Sequence, residues 1–245
     1  MSAHLFAQKH DYIWRHGLQS PFWPDNSNFF IDFRTFPPTI EPTEIGKDVY
    51  PMDAGTVLSD KNGAFAWFSD GCSVFNKSGQ VMQGGKVINP GIVFDNYCKS
   101  GGGGYPIRHG IFALPDKDDH YAIFHQRSES QVLGCLHPDL LTSHVDMSEN
   151  NGYGTVTSAN KQFFHNCLLT LSANRHANGR DWWLLVASTN MDTFYRFLFT
   201  PGQGLQGPWE QHIENPAKGW LGGGGWSEFS SNGSQYLNHS GISGI

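Results

Sequence analysis

Short apolar runs separated by turn-forming residues recur along the whole chain. The segments "NFFIDF" (28–33), "AFAWFS" (64–69), "HYAIFHQ" (120–126), "FFHNCLLTLS" (163–172), "WWLLVAS" (182–188) and "FYRFLF" (194–199) are rich in aromatic and branched side chains, bounded by Gly, Asn, Asp or Pro. Such side chains suit a pleated surface, and runs of this length bounded in this way predict β-strands. No stretch keeps a 3.6-residue apolar period over three turns, so amphipathic helices are not expected. The run from Trp182 to Ala187 does not alternate polar with apolar. Both of its faces are therefore expected to be covered.

Four of the turns look alike. Asn62-Gly63, Asp118-Asp119, Asn178-Gly179 and Asn232-Gly233 are spaced 56, 60 and 54 residues apart, each leading towards an aromatic segment. Asn-Gly and Asp-rich pairs supply the positive φ that tight hairpins require. A hairpin returning about every 55 residues marks a repeat architecture, and four-stranded propeller blades have nearly that period. The expected fold is all-β and β-propeller-like, with about four to five four-stranded blades. The chain stops at "NHSGISGI", soon after a turn and without a closing strand. The domain expected over residues 8–245 is thus an incomplete propeller, truncated at its C-terminal end, whose open sheet edge invites self-association. The opening stretch "SAHLFAQKHDY" reads as the tail of a secretory signal peptide, with residues 1–7 as its remnant and Gln8 as the first mature residue.

Composition agrees with strands and turns: 14% aromatic, 16% charged, with 29 Gly and 13 Pro in 245 residues. The net charge of −6 comes without any basic block, which argues against nucleic acid as a partner. No apolar run approaches the ~20 residues of a membrane-spanning helix. The four cysteines, Cys72, Cys98, Cys135 and Cys167, form no C-x-x-C pair, so zinc ribbons and thioredoxin-type chemistry are not indicated. Three full disulfide pairings are open in an exported chain, against buried free thiols, which is the expectation for Cys135 and Cys167.

A resemblance spans nearly the whole chain. It rests on "HDYIWRHG" (10–17), "IDF" (31–33), "LSDKNGAFAWFSDGC" (58–72), "GGGGYPIRHGIFALPDKDDHYAIFHQR" (101–127), "LLTSHVDMSENNGYGTVTSANK" (140–161), "RHANGRDWWLLV" (175–186), "FYRFLFTPGQGLQGP" (194–208) and "FSSNGSQY" (229–236). In order and spacing these resemble the propeller-like N-terminal region of exported bacterial proteins that carry a C-terminal type IX secretion sorting domain, related to gliding-motility-associated surface proteins. The resemblance implies a secreted or extracellular protein, attached at the cell surface through a C-terminal domain that does not follow here. It also implies a Cys72–Cys98 disulfide. It supplies no catalytic residue.

Local motifs point to chemistry less firmly. "GQGLQG" (202–207) fits G-x-G-x-x-G, but Pro208 and Trp209 follow where a dinucleotide site needs a helix. "KSGGGGY" and "WLGGGGW" lack the Lys-Ser/Thr that follows the glycines of a phosphate loop. His120 and His125 are oddly spaced on one strand and so face opposite sheet surfaces. No metal site or cofactor is expected, and a calcium turn at "PDKDD" (115–119) is weaker than a solvated turn. The function expected is that of a secreted or cell-surface scaffold or recognition module contacting extracellular protein or glycan, without catalysis. Ligand-binding candidates are the turn residues His176, Asn178, Arg180 and Asp181, and the loop aromatics Tyr105, Trp220 and Trp226, since aromatic rings anchor interfaces. The alternative is a secreted glycan-acting hydrolase whose carboxylates, from Asp53, Asp70, Asp146 and Asp181, converge on the propeller axis.

Overall fold

β-Structure dominates the computed structural model, which describes residues 12–20, 23–45, 55–99, 111–129, 135, 137–214, 226–230 and 232–239. Among these residues the strands form four antiparallel sheets. The first joins β1 (Ile13–Ser20), β2 (Trp23–Asp32) and β3 (Thr39–Pro42). The second joins β4 (Thr56–Ser59), β5 (Phe65–Ser69) and β6 (Val74–Asn76), to which Val81 adds a further antiparallel bridge through Phe75. The third is a seven-stranded meander of β7 (Ile111–Pro115), β8 (His120–Arg127), β9 (His137–Asp146), β10 (Thr155–Arg175), β11 (Trp182–Ser188), β12 (Thr193–Thr200) and β13 (Gly204–His212). The fourth is the hairpin β14 (Trp226–Phe229) and β15 (Tyr236–His239).

The long strand β10 explains how seven strands pack as two units. Residues 155–168 pair with β9, whereas residues 168–175 pair with β11, and Leu168 has partners on both sides in His137 and Ser188. Repeated register shifts along β10 break its ladder at Val156/Ser158, Ser158/Lys161, Gln162/Phe164, His165/Leu168 and Leu168/Leu171. Irregularities of this kind bend a strand and increase its twist. β7–β8–β9–β10 and β10–β11–β12–β13 are therefore two four-stranded meanders that share one strand.

The two meanders meet face to face, and β8 lies between two cores. Its Tyr121 and Ile123 join Leu58, Trp67, Val74, Val145 and others in one cluster against the β4–β6 sheet. Its Ala122 and Phe124 join Leu140, Leu184, Val186, Phe197 and Phe199 in a second cluster against β10–β13. Alternate residues of a strand point to opposite faces, so a run buried on both sides reads as uniformly apolar. Trp67, Phe68, Phe124, Phe197 and Phe199 are each at most 1% exposed. Each such side chain stabilises the fold by about 1.5–3 kcal/mol through loss of water contact. On the outer sides, Phe30 of β2 packs on Phe65 with ring centroids 4.8 Å apart, and Ser227 of β14 accepts a hydrogen bond from Thr170 Oγ1 at 3.2 Å. The sheets thus stack in chain order.

All four repeated turns close the first hairpin of their unit. Asn62-Gly63 lies between β4 and β5, Asp118-Asp119 between β7 and β8, Asn178-Gly179 between β10 and β11, and Asn232-Gly233 between β14 and β15. Each glycine of the three Asn-Gly pairs has positive φ, and so does Asp118 at 55°. The "GQGLQG" segment forms the turn between β12 and β13 and the start of β13, and no helix follows it.

Both cysteine pairs are disulfides. Cys72 and Cys98, Cα atoms 5.7 Å apart, tie the loop after β5 to the end of the short helix α1 (Ile92–Tyr97) over a small cluster of Val93 and Phe94. The expectation of free thiols at Cys135 and Cys167 is corrected. These two are bonded to each other with Cα atoms 4.8 Å apart. The reason lies in register: β9 pairs His137 with Leu168, which brings the residues just before each of them together. No described residue has a free thiol.

Candidate functional site

The β10–β11 turn is built around Asn178. Its Oδ1 accepts the backbone N–H groups of Arg180 and Asp181, both at 3.0 Å, and its own N–H donates to His176 Nδ1 at 3.1 Å. Its Nδ2 donates to Asp181 Oδ2 at 2.7 Å. Arg180 adds Nε–H to Asp181 Oδ1 at 2.7 Å and Nη2–H to Oδ2 at 3.1 Å. The Arg180 guanidinium, joined by Asn178, holds the Asp181 carboxyl down at about 2. Asp181 is buried at 4% exposure, so its anion serves the turn and is not presented to solvent. Gly179, at φ 72°, allows the chain to reverse, and its carbonyl accepts from Arg175 Nη2.

What this turn does present is cationic and aromatic. The Arg180 side chain is 63% exposed despite its pairing with Asp181. The His176 ring lies 5.5 Å from Trp183, and Trp183 meets Trp209 edge-on at 6.1 Å. Trp209 is 42% exposed. The three rings form a row running from the turn across β11 onto β13. Arg180 and His176 were legible candidates, whereas Trp209 was hidden behind a glycine loop whose hairpin role emerges only in the fold. Tyr105 and Trp220 lie outside the described residues. Trp226 opens β14, away from the β10–β11 turn in sequence but in the sheet packed on β10.

A second constellation has the outline of a nucleophile relay. Asn89 Nδ2 donates to the Gly71 carbonyl at 3.2 Å, so its Oδ1 is left to accept from His125 Nδ1–H at 2.6 Å. His125 Nε2 then accepts from Ser143 Oγ–H at 2.9 Å, and Ser143 Oγ in turn accepts the Asn160 N–H at 2.9 Å. Asn160 Oδ1 closes the ring by accepting the Asn89 N–H at 3.0 Å. Chemistry is ruled out by burial. Ser143 and His125 are 0% exposed, and Asn89 is 1% exposed. Desolvation pushes the His125 imidazole down to about 3, far below a useful general base at neutral pH. The network locks the loop at Asn89 to β8, β9 and β10.

A third cluster closes the far end of β8. The buried Asp139 carboxylate accepts from Arg127 Nε at 2.6 Å and from His165 Nδ1 at 2.6 Å. Arg127 also pairs with Glu129 at 2.5 Å. Next to it Ser128 Oγ lies 2.8 Å from Nδ1 of His137, an imidazole that burial pushes down to about 4. Both sides of this cluster are cross-strand partners, since Asp139 stands opposite Arg127 on β8 and His165 on β10.

The carboxylates considered for hydrolysis serve their own loops. Asp70 Oδ1 accepts from the N–H groups of Cys72 and Ser73, and burial raises its carboxyl. Asp146 accepts from Ser148 and pairs with His120 at 3.1 Å. Asp53 lies outside the described residues. In "PDKDD", Asp116 accepts from the Gly202 N–H at 2.5 Å, and Asp119 pairs with Lys61 of the neighbouring sheet's turn at 3.2 Å. Among the described residues no group of three His, Cys, Asp or Glu side chains is placed to hold a metal, and no helix is long and apolar enough to cross a membrane. Compared with protein-family models, with curated proteins and with solved structures, the chain matches none of them.

Proposed function

We propose that this chain is a recognition and scaffold module of an exported protein, a β-propeller-like stack that contacts an extracellular protein or glycan without catalysis. The observation that carries the reading is the row at the β10–β11 turn, where exposed Arg180 and half-buried His176 and Trp183 of that hairpin meet exposed Trp209 of β13. Aromatic rings stack on sugar faces and anchor protein interfaces, and a guanidinium adds directional donors. Two disulfides support an oxidising, extracytoplasmic setting. Stacked four-stranded meanders, each opened by the same turn, support blades as the repeating unit. The type IX exported proteins described above are the family this proposal favours, with surface attachment supplied by a sorting domain.

The test uses the purified chain against immobilised polysaccharides and surface-protein fractions from bacteria, with release of reducing ends followed in parallel. Retention that falls at least about 10-fold in Arg180→Ala or Trp209→Ala, with no reducing ends released, supports recognition. Steady release of reducing ends lost in Asp146→Asn would replace it with the hydrolase reading. Retention unchanged in both variants would remove the turn from the binding surface.

A further inference from the structure

The outermost sheet, β1–β3, is built the wrong way round for a layer that ends in water. Residues directly opposite each other share a face. The rows on the side of Ile13 and Arg15 are Ile13, Asp32, Thr39 and Arg15, Phe30, Glu41. This side meets the β4–β6 sheet: the Ile13 N–H donates to Ser59 Oγ at 3.1 Å, and the Arg15 guanidinium lies 4.7 Å over the Phe68 ring. The rows on the other side are Trp14, Ile31, Ile40 and His16, Phe29, Pro42. Phe33 packs on Trp14 with ring centroids 4.9 Å apart. The inward rows carry Arg15 and Asp32, with Glu41 exposed on β3, while among the described side chains the outward rows carry no carboxylate, lysine or arginine. Apolar side chains face outward, and charge sits on the side that meets the next sheet.

The quantity of surface is large. Trp14, Phe33 and Ile40 are 50%, 40% and 66% exposed, and Pro42 and His16 of the same rows are exposed as well. With ~150–250 Å² for each large side chain, the first three alone leave on the order of 300 Å² of apolar surface in water. A patch of that size on a monomer is often functional, and it is over a third of the ~800 Å² per partner in a standard interface.

We propose that this face is a dimer interface, closed by a second copy of the chain through the same outward rows under two-fold symmetry. Three features favour that occupant. Every other sheet junction described in the chain is sheet on sheet, so a β-sheet is the shape this surface accepts. Among the described side chains, the outward rows contain no fixed charge to repel their own copy. At their margin Asp32 pairs with Arg34, and that pair is internally neutral. A two-fold contact also sets this apolar face against the same face of the copy, which satisfies self-complementarity. Self-association then occurs through a sheet face, rather than through the open edge that the sequence suggested. This inference does not depend on the recognition role.

Sedimentation velocity over about 1–100 µM tests it, at concentrations that span a micromolar dissociation constant. The wild-type chain is expected to double in mass with concentration. Ile40→Glu, on a strand whose side chains are all exposed, is expected to weaken association at least about 10-fold, because symmetry brings two new charges into the contact. Leu237→Glu, on the exposed side of β14–β15 and 59% exposed, should leave it unchanged. Far-UV circular dichroism checks that each variant is folded, and Phe33→Ser stands in for any that is not. A wild-type chain that stays monomeric overturns the proposal, as does a dimer indifferent to Ile40→Glu and Phe33→Ser. Open-ended polymers abolished by Leu237→Glu would instead seat β14–β15 of the next copy on this face, and would overturn it as well.

Discussion

Lowering the pH from about 7.5 to about 5 is expected to cost this fold about 4 kcal/mol, nearly all of it from two imidazoles. His125 and His137 are 0% and 5% exposed, and desolvation holds them at about 3 and about 4. In the unfolded chain each returns to about 6.5. The unfolded state therefore binds more protons below that pH, so stability is full above about 6.5 and is lost as pH falls towards the folded values. At pH 5 the deficit is about 1.5 pH units for each histidine, or about 2 kcal/mol apiece. Carboxylates held below their usual range, such as Asp146 and Asp181, contribute little above pH 5. The raised Asp70 works in the opposite direction, and the lowered His144 adds to the loss. Urea denaturation at the two pH values reads the difference directly. His125→Gln, although less stable at both, should show only about half the pH dependence, about 2 kcal/mol, because one of the two sites no longer titrates. A wild-type loss below about 1 kcal/mol, or an unchanged loss in His125→Gln, would refute the claim that these rings are folded in as neutral groups.

Other outcomes follow from packing. Asp139→Ala should destabilise by about 2–4 kcal/mol, since it strips Arg127 and His165 of a buried acceptor; chemical denaturation measures this. Reducing either disulfide should cost about 3–4 kcal/mol by chain entropy for separations of 26 and 32 residues, seen as a lower Tm in the single Cys98→Ser and Cys135→Ser variants. Gly84→Ala should cost more than about 2 kcal/mol, because φ is 75° and the added carbon would lie 2.3 Å from the Val156 carbonyl oxygen. Gly179→Ala, with positive φ but open space around it, should cost only about 1 kcal/mol in the same assay.

Local chemistry made much of the fold legible. The six apolar runs each lie in a strand to within one residue, and "WWLLVAS" matches β11 end to end, because branched and aromatic side chains bounded by turn residues leave few alternatives. The repeated turns were legible for a related reason: positive φ at a hairpin selects Asn, Asp and Gly whatever the sheet does next. β9 escaped notice because "HPDLLTSHVD" mixes buried His137, Asp139 and Ser143 with apolar residues, and those polar groups are tolerable only through partners on β8 and β10. With β9 unseen, the Cys135–Cys167 pairing had no basis. The turn cluster was half legible. Asn178 and Asp181 do belong together, but the pair is spent on the turn, and Trp209, the ring that extends the surface, arrives from β13 through pairing of β13 with β12. The inverted sheet β1–β3 could not be found in one dimension, since which side of a strand faces water is decided by the layer packed against it.

The stacking of successive meanders is best tested on β8 alone, where Tyr121 and Phe124 are three residues apart and face different layers. Nuclear Overhauser contacts from the Tyr121 ring should reach Trp67, whose ring centroid lies 6.0 Å away, and those from the Phe124 ring should reach Phe199 at 5.2 Å. Both rings contacting one and the same sheet, or either ring showing only solvent exchange, would contradict the account.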